Sequence, residues 1–233
     1  MVNFSEVLGW ALLLVGVAAV PHAVASDGPS GRSPAETNPP VAPAVALPTP
    51  RTEGGMPLMD ALRQRRSTRE YSDRALDLQT LADLLWAAAG INRPQEGKRT
   101  APSTRNWQAV DVYVCLAEGA YRYDPANHRL EAAAPGDLRD LTGMQDFVAT
   151  APVNLVYVAD LTRMAGIEEE AQRAYSAADA AFMAENVYLF CASSGLATVV
   201  RGSVDGAALT GPLKLKEGQR VVLAQTVGYP AAP

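Results

Sequence analysis

The stretch "IEEEAQRAYSAADAAFMAENVYLFCASSG", residues 167–195, is the longest element in the sequence, and any fold has to be built around it. Glu168, Glu169 and Glu170 crowd its start, where a helix dipole favours negative charge, and Gly195 stands where a helix would stop. At about 1.5 Å per residue such a helix runs roughly 40 Å. Its second half, "AAFMAENVYLFCA", is apolar almost all round, which predicts a central buried helix. The alanines along it would let another helix approach closely.

On either side of this helix the pattern turns to strands. "PVNLVYVAD" (152–160) reads as a strand buried on both faces. "LATVV" (196–200) and "QRVVLAQTVGYP" (219–230) follow, separated by a short helical excursion in "DGAALTGPLKL" (205–215). Upstream, "AVDVYVCLA" (109–117) is a strand, and Tyr121–Tyr123 with His128–Glu131 form a hairpin turned by "DPAN". Two amphipathic helices come first, in "PLMDALRQRRS" (57–67) and in "DLQTLADLLWAAAG" (77–90), the latter stopped by Gly90. This order predicts one α+β domain over residues 57–230, a sheet flanked by helices.

The chain has 233 residues, 48% of them hydrophobic, which suffices for a sizeable core. Its formal charge of −5 argues against a nucleic-acid partner, because phosphate contacts need a basic face. Residues 1–25 read as an export signal: the apolar run "GWALLLVGVAAV" precedes "AVA", a small-x-small cleavage pattern at Ala23–Ala25. The expected location is therefore periplasmic or secreted, with anchoring by an uncleaved signal as the alternative. Residues 26–56 hold seven prolines and no amphipathic period, and read as a disordered, extended linker. Beyond the signal, His128 is the only histidine, too few for a zinc site or for Ser-His or Cys-His catalysis. Cys115 and Cys191 sit in apolar surroundings and read as buried free thiols.

Three stretches carry candidate chemistry. "RRSTREY" (65–71) places three arginines within five residues of an acidic protein. They are either charges at the carbonyl end of the preceding helix or forked donors around Ser67 that need an anion among them. "RTAPSTRNWQAVDVYV" (99–114) sets Pro102, Ser103, Asn106 and Gln108 just before a strand. That is either a polar turn or a set of amides matching the donor–acceptor edge of a heterocycle. "GLATVVRGSVD" (195–205) leaves the long helix, makes a strand and turns at Gly202, where a missing side chain would let backbone N–H groups approach a bound ring. No G-x-G-x-x-G follows a strand. "GINRPQEGKR" (90–99) is no phosphate loop, since six residues separate its glycines and Arg follows the Lys. Ser67, Ser103 and Ser203 lie in no nucleophile elbow, which disfavours a hydrolase.

Together these stretches resemble the nitroreductase family of FMN-dependent oxidoreductases. Arg65, Arg66, Ser67, Arg69 and Tyr71 fit a first motif R-[RH]-S-x-[RK]-x-[FY]. Pro102, Ser103, Asn106 and Gln108 fit P-S-x-x-N-x-Q; Gly195, Leu196, Thr198 and Val199 fit G-L-x-[ST]-V, and "GYP" at 228–230 closes the match. The resemblance implies a mixed sheet flanked by helices and an intertwined homodimer with FMN at the subunit interface. It implies cofactor-binding roles for Arg65, Arg66, Ser67, Arg69, Ser103, Asn106, Gln108, Val200, Arg201 and Gly202. Arg65, Arg66 and Ser67 would hold the phosphate and ribityl chain, with Arg69 near the N1/O2 edge of the ring. Asn106 would bond its pyrimidine side, and the Val200–Gly202 backbone would face N5. The chain departs from the family in ending three residues after "GYP" without a basic extension, and Arg201 is the expected substitute in the phosphate clamp. The function implied is hydride transfer from a small donor to an acceptor such as a quinone, nitroaromatic or enone. A non-catalytic dimeric flavin- or anion-binding scaffold and an azoline-type flavin dehydrogenase are the alternatives.

Overall fold

The computed structural model describes residues 44–232. The expected signal lies outside them, as does the linker up to residue 43. The elements run β1 (Val45–Ala46), α1 (Leu58–Gln64), α2 (Leu78–Ala89), β2 (Ile91–Arg93), β3 (Lys98–Arg99), β4 (Val110–Leu116), β5 (Gly119–Asp124), β6 (Arg129–Pro135), β7 (Val153–Asp160), α3 (Glu169–Ser194), β8 (Ala197–Arg201), α4 (Gly206–Thr210) and β9 (Gln219–Gly228). Seven strands form one sheet in the order β1-β6-β5-β4-β7-β9-β8. Every neighbouring pair is antiparallel, so the expected mixed sheet is corrected to an antiparallel one. β2 and β3 pair as a separate hairpin.

Side-chain alternation divides the core into two layers. Val110, Val112 and Val114 of β4, with Leu155 and Tyr157 of β7, pack beneath α2 and α3. Tyr113, Cys115, Val156 and Val158 point to the other face, where Leu209 and Leu213 cover them. Cys191 belongs to the helix-side layer and Cys115 to the opposite one, so the sheet itself separates the two buried free thiols. Burial pushes the Cys115 thiol up to about 12.

α3 is the central helix that the sequence predicts. Its N-terminal residues Glu169 and Glu170 carry the dipole-favoured charge, and Gly195 at φ 69° ends it. α2 is capped by Asp77, whose carboxylate accepts from the Thr80 N–H, a cap contributing roughly 1 kcal/mol.

The linker reading is corrected at its C-terminal end. Residues 45–56 lie against the domain. β1 pairs with β6, His128 Nε2 lies 3.0 Å from the Pro48 carbonyl, and the Arg51 guanidinium grips the buried Asp83 carboxylate. The Met56 N–H donates to Ser193 Oγ. A proline-rich strap can dock without a period of its own, because partners spread over α2, α3 and β6 satisfy its backbone.

Candidate functional site

α1 stops at Gln64, and Arg65 is its C-cap, so the only arginine in its last turn is Arg63, which pairs with Asp60. The arginines at 66 and 69 therefore lie beyond the helix and are not charges on its carbonyl end. The segment runs on beside the edge strand β8, with the Thr68 N–H donating to the Thr198 carbonyl at 2.9 Å. It is held further along by the Tyr71–Pro230 bridge and by the Ser72 N–H donating to the Tyr229 carbonyl. Backbone bonds thus help to fix the segment without drawing on its guanidiniums. None of Arg65, Arg66 and Arg69 takes part in an ion pair among the described residues. Arg65 and Arg66 line a cavity of about 480 Å³ with Thr68, Tyr188, Gly195 and Thr198.

Tyr188 organises this cavity, although nothing singles it out in the sequence. Its hydroxyl lies 2.7 Å from Ser67 Oγ and accepts from the Val200 N–H at 3.0 Å. The Arg65 guanidinium stands 5.2 Å from the centre of its ring. One phenol therefore ties α3, the arginine segment and β8 together. It hides from sequence reading because an aromatic in the apolar run "VYLF" looks like core.

The second stretch is built differently. Ser103 Oγ donates to Asp179 Oδ2 at 2.9 Å and accepts from the Gln108 N–H at 2.8 Å. The Thr104 N–H and hydroxyl both donate to the same carboxylate. Asp179 is 1% exposed, in the middle of α3. Between these anchors Arg105, Asn106 and Gln108 are forced to φ 48°, 55° and 48°. Such left-handed backbone costs of order 1 kcal/mol or more per non-glycine residue and persists only where surroundings over-determine it. The Gln108 amide N–H₂ donates to the Gly97 carbonyl and to Asn106 Oδ1, which leaves the Asn106 N–H₂ outward and unbonded. Asp179 is the second residue missed from sequence; its signal is a lone acid among alanines on a helix predicted to be buried.

The arginines and this turn do not meet within one chain. Ser103, Asn106 and Gln108 line their own cavity of about 170 Å³ with Arg93, Lys98 and Arg99. The two anchors, Asp179 and Tyr188, stand nine residues apart on α3, about 13 Å of helical rise.

The third stretch brings one correction. Arg201 does not face the cavity. Strand alternation turns it to the sheet face opposite Val200, where it is 6% exposed and donates to the Thr142 carbonyl, Asn154 Oδ1 and Thr226 Oγ1. Burial without a carboxylate lowers its pKa to about 10. Its two terminal nitrogens are engaged in joining β8 to the loop before β7 and to β7 and β9, and its buried Nε has no partner, so its fork faces the interior and not the arginine cavity. Gly202 is exposed, lies outside the left-handed region, and a Cβ there would meet open space. Within the chain neither its conformation nor its packing requires glycine.

An antiparallel sheet wrapped on one long helix, with guanidiniums free of ion pairs at a cavity beside the edge strand, defines the α+β protein and its candidate site. The Nitroreductase family profile matches residues 62–229, and the chain belongs to that family, an oxidoreductase class. The chain is 32% identical over 170 residues to MJ1384 of Methanocaldococcus jannaschii, a protein provisionally named nitroreductase; the match covers 69% of this chain and 85% of the relative. A crystal structure of a Ralstonia eutropha JMP134 protein, also provisionally named nitroreductase, is 47% identical. It superposes with a TM-score of 0.79 over 82% of this chain and 91% of that one. The NADPH:FMN oxidoreductase of Vibrio harveyi, complexed with NAD+, shares the fold at 20% identity, with a TM-score of 0.55 over 75% of this chain and 69% of its own.

Proposed function

We propose that the protein is an FMN-dependent oxidoreductase, active as a homodimer, which passes electrons from a small donor to a quinone, nitroaromatic or enone. The observation that carries this reading is the set of unpaired guanidiniums at 65 and 66, held by backbone bonds beside Ser67 and Tyr188 in a cavity of about 480 Å³. Clustered cations without carboxylates repel one another until an anion lies among them, and planar guanidinium forks suit phosphate oxygens. The donor set therefore fits FMN. Arg65, Arg66 and Ser67 would hold its phosphate and ribityl hydroxyls, Arg69 the electron-rich edge of its ring, and the free Asn106 amide its pyrimidine side. When bound, FMN would supply the two-electron chemistry that no side chain here provides. A positive charge held at the ring edge would stabilise the reduced form.

A second copy completes the arrangement. α1 packs on α3, and the two carry exposed Leu58, Met59, Leu62, Tyr175 and Phe182. Large apolar side chains gathered on neighbouring helices mark a surface that is normally covered. Pairing two chains through it would bring the Ser103–Gln108 turn of one copy towards the arginines of the other. The N-terminal sequence supports export as the setting for this activity.

The visible absorption spectrum of the purified protein tests the reading. A yellow protein that bleaches on adding a reductant supports it, and a yellow protein that does not bleach supports the scaffold alternative. A colourless protein that takes up no added FMN overturns both. Arg69→Ala should lower flavin retention and slow reduction; unchanged values for both would remove Arg69 from the ring edge.

A further inference from the structure

The Ser103–Gln108 turn, whose Asn106 the flavin reading uses, is only one wall of its small cavity. Its other wall is the β2–β3 hairpin, which contributes Arg93, Lys98 and Arg99. Three cations here have two carboxylates near them: Glu96 bonds Lys98, and Asp111 acts on Arg99. Arg93 spends one Nη2 contact on the Arg99 carbonyl at 2.9 Å, and the rest of its fork is free. Arg99 is half-buried: Nη1 donates to the Val110 carbonyl, whereas its Nε is buried with no partner. Burial lowers the pKa of this guanidinium, with Arg163 and Arg122 adding to the effect and Asp111 opposing it. A desolvated, under-bonded arginine beside two other cations gains most from an incoming anion. The cavity is also too small for a drug-sized molecule, whose sites span roughly 300–1,000 Å³. It suits one acidic group at the end of a larger ligand.

We propose that Arg93, Lys98 and Arg99 form an anion subsite that selects substrates carrying a carboxylate or phosphate and holds that group beside the Ser103–Gln108 turn. That the ligand is a redox substrate rests on the flavin reading above; the anion subsite itself does not. The Gln108 bond to the Gly97 carbonyl couples the hairpin to the strained turn, so an anion held by the hairpin is also held in register with Asn106. The acidic group can belong to the acceptor or to the phosphate of a nicotinamide donor, and both sources present the same chemistry to these cations.

The test is isothermal titration calorimetry on the full-length protein as purified, with two matched pairs: 4-nitrobenzoate against 4-nitrobenzamide, and NADP+ against NAD+. The expected result is that the anionic member of at least one pair binds about tenfold tighter, the worth of one charge-assisted contact. This preference should weaken with added salt and vanish in Arg93→Gln/Lys98→Gln, whose substitutions lie on the exposed hairpin. The pair that loses its preference identifies the source of the anion. Equal binding within both pairs, or a preference that survives the double substitution, overturns the proposal. So does loss of visible flavin absorbance in the double variant, which would assign these cations to the cofactor. A colourless protein that takes up no added FMN yet keeps the anion preference ends the flavin reading and leaves the subsite standing.

Discussion

The arginine segment and the Ser103–Gln108 turn look alike in sequence, each a short polar run carrying a hydroxyl and several donors beside an apolar element. In the structure they are opposites. The arginine segment is fastened through its backbone, by Thr68 to β8 and Ser72 to Tyr229, and its charged side chains stay unpaired. The turn is fastened through its side chains: the Ser103 and Thr104 hydroxyls converge on Asp179, and the backbone pays in strain. The first can offer guanidiniums to a ligand at no structural loss. The second can offer only what Asp179 leaves over, chiefly the Asn106 amide. Equivalent residue types thus separate into side chains left free for a ligand and side chains that shape the site, according to which bonds already occupy them.

Substitutions can break this contrast. The largest effect is expected at Asp179→Ala, which leaves several donors without an acceptor in a buried position. It should destabilise the protein by about 3 kcal/mol in a denaturant titration. A loss below about 1 kcal/mol would mean the turn does not depend on this anchor. Next, Arg66→Ala should weaken FMN binding by about thirtyfold, about 2 kcal/mol, as measured by fluorescence titration. Its unfolding midpoint should stay unchanged, because Arg66 is exposed and has no ion-pair partner among the described residues. A stability loss as large as the affinity loss would erase the distinction between the two regions. Ser103→Ala removes one donor and one acceptor and should cost about 1.5 kcal/mol of stability. If it changed flavin affinity at full stability instead, Ser103 would be a ligand and not a brace. The smallest effect belongs to Gly202→Ala, where open space predicts a stability change within about 0.5 kcal/mol in the same titration.

Much of the fold was legible because its signals are local. The period of "AAFMAENVYLFCA", the Asp77 and Gly195 helix boundaries, and the alternation in β4 each depend on a few neighbouring residues. The strap was misread because Pro48, Arg51 and Met56 owe their positions to His128, Asp83 and Ser193, up to 137 residues away. Arg201 was misassigned for the same reason. Its composition reads as a phosphate ligand, but a strand's alternation and the carbonyl of Thr142 decide what it touches.

By itself the sequence determined the order of the main elements, the long helix and the motifs that mark the family. Periodicity, helix-end chemistry and motif spacing are written into adjacent residues, and they survive without knowledge of the rest of the chain. Only the tertiary structure decided which of the polar residues are free. Tyr188 and Asp179 reach across from α3 to engage Ser67 and Ser103, and Arg201 is drawn into the far layer. A hydrogen bond between residues distant in sequence has no local signature, so the availability of a side chain for a ligand is settled only when the chain has folded.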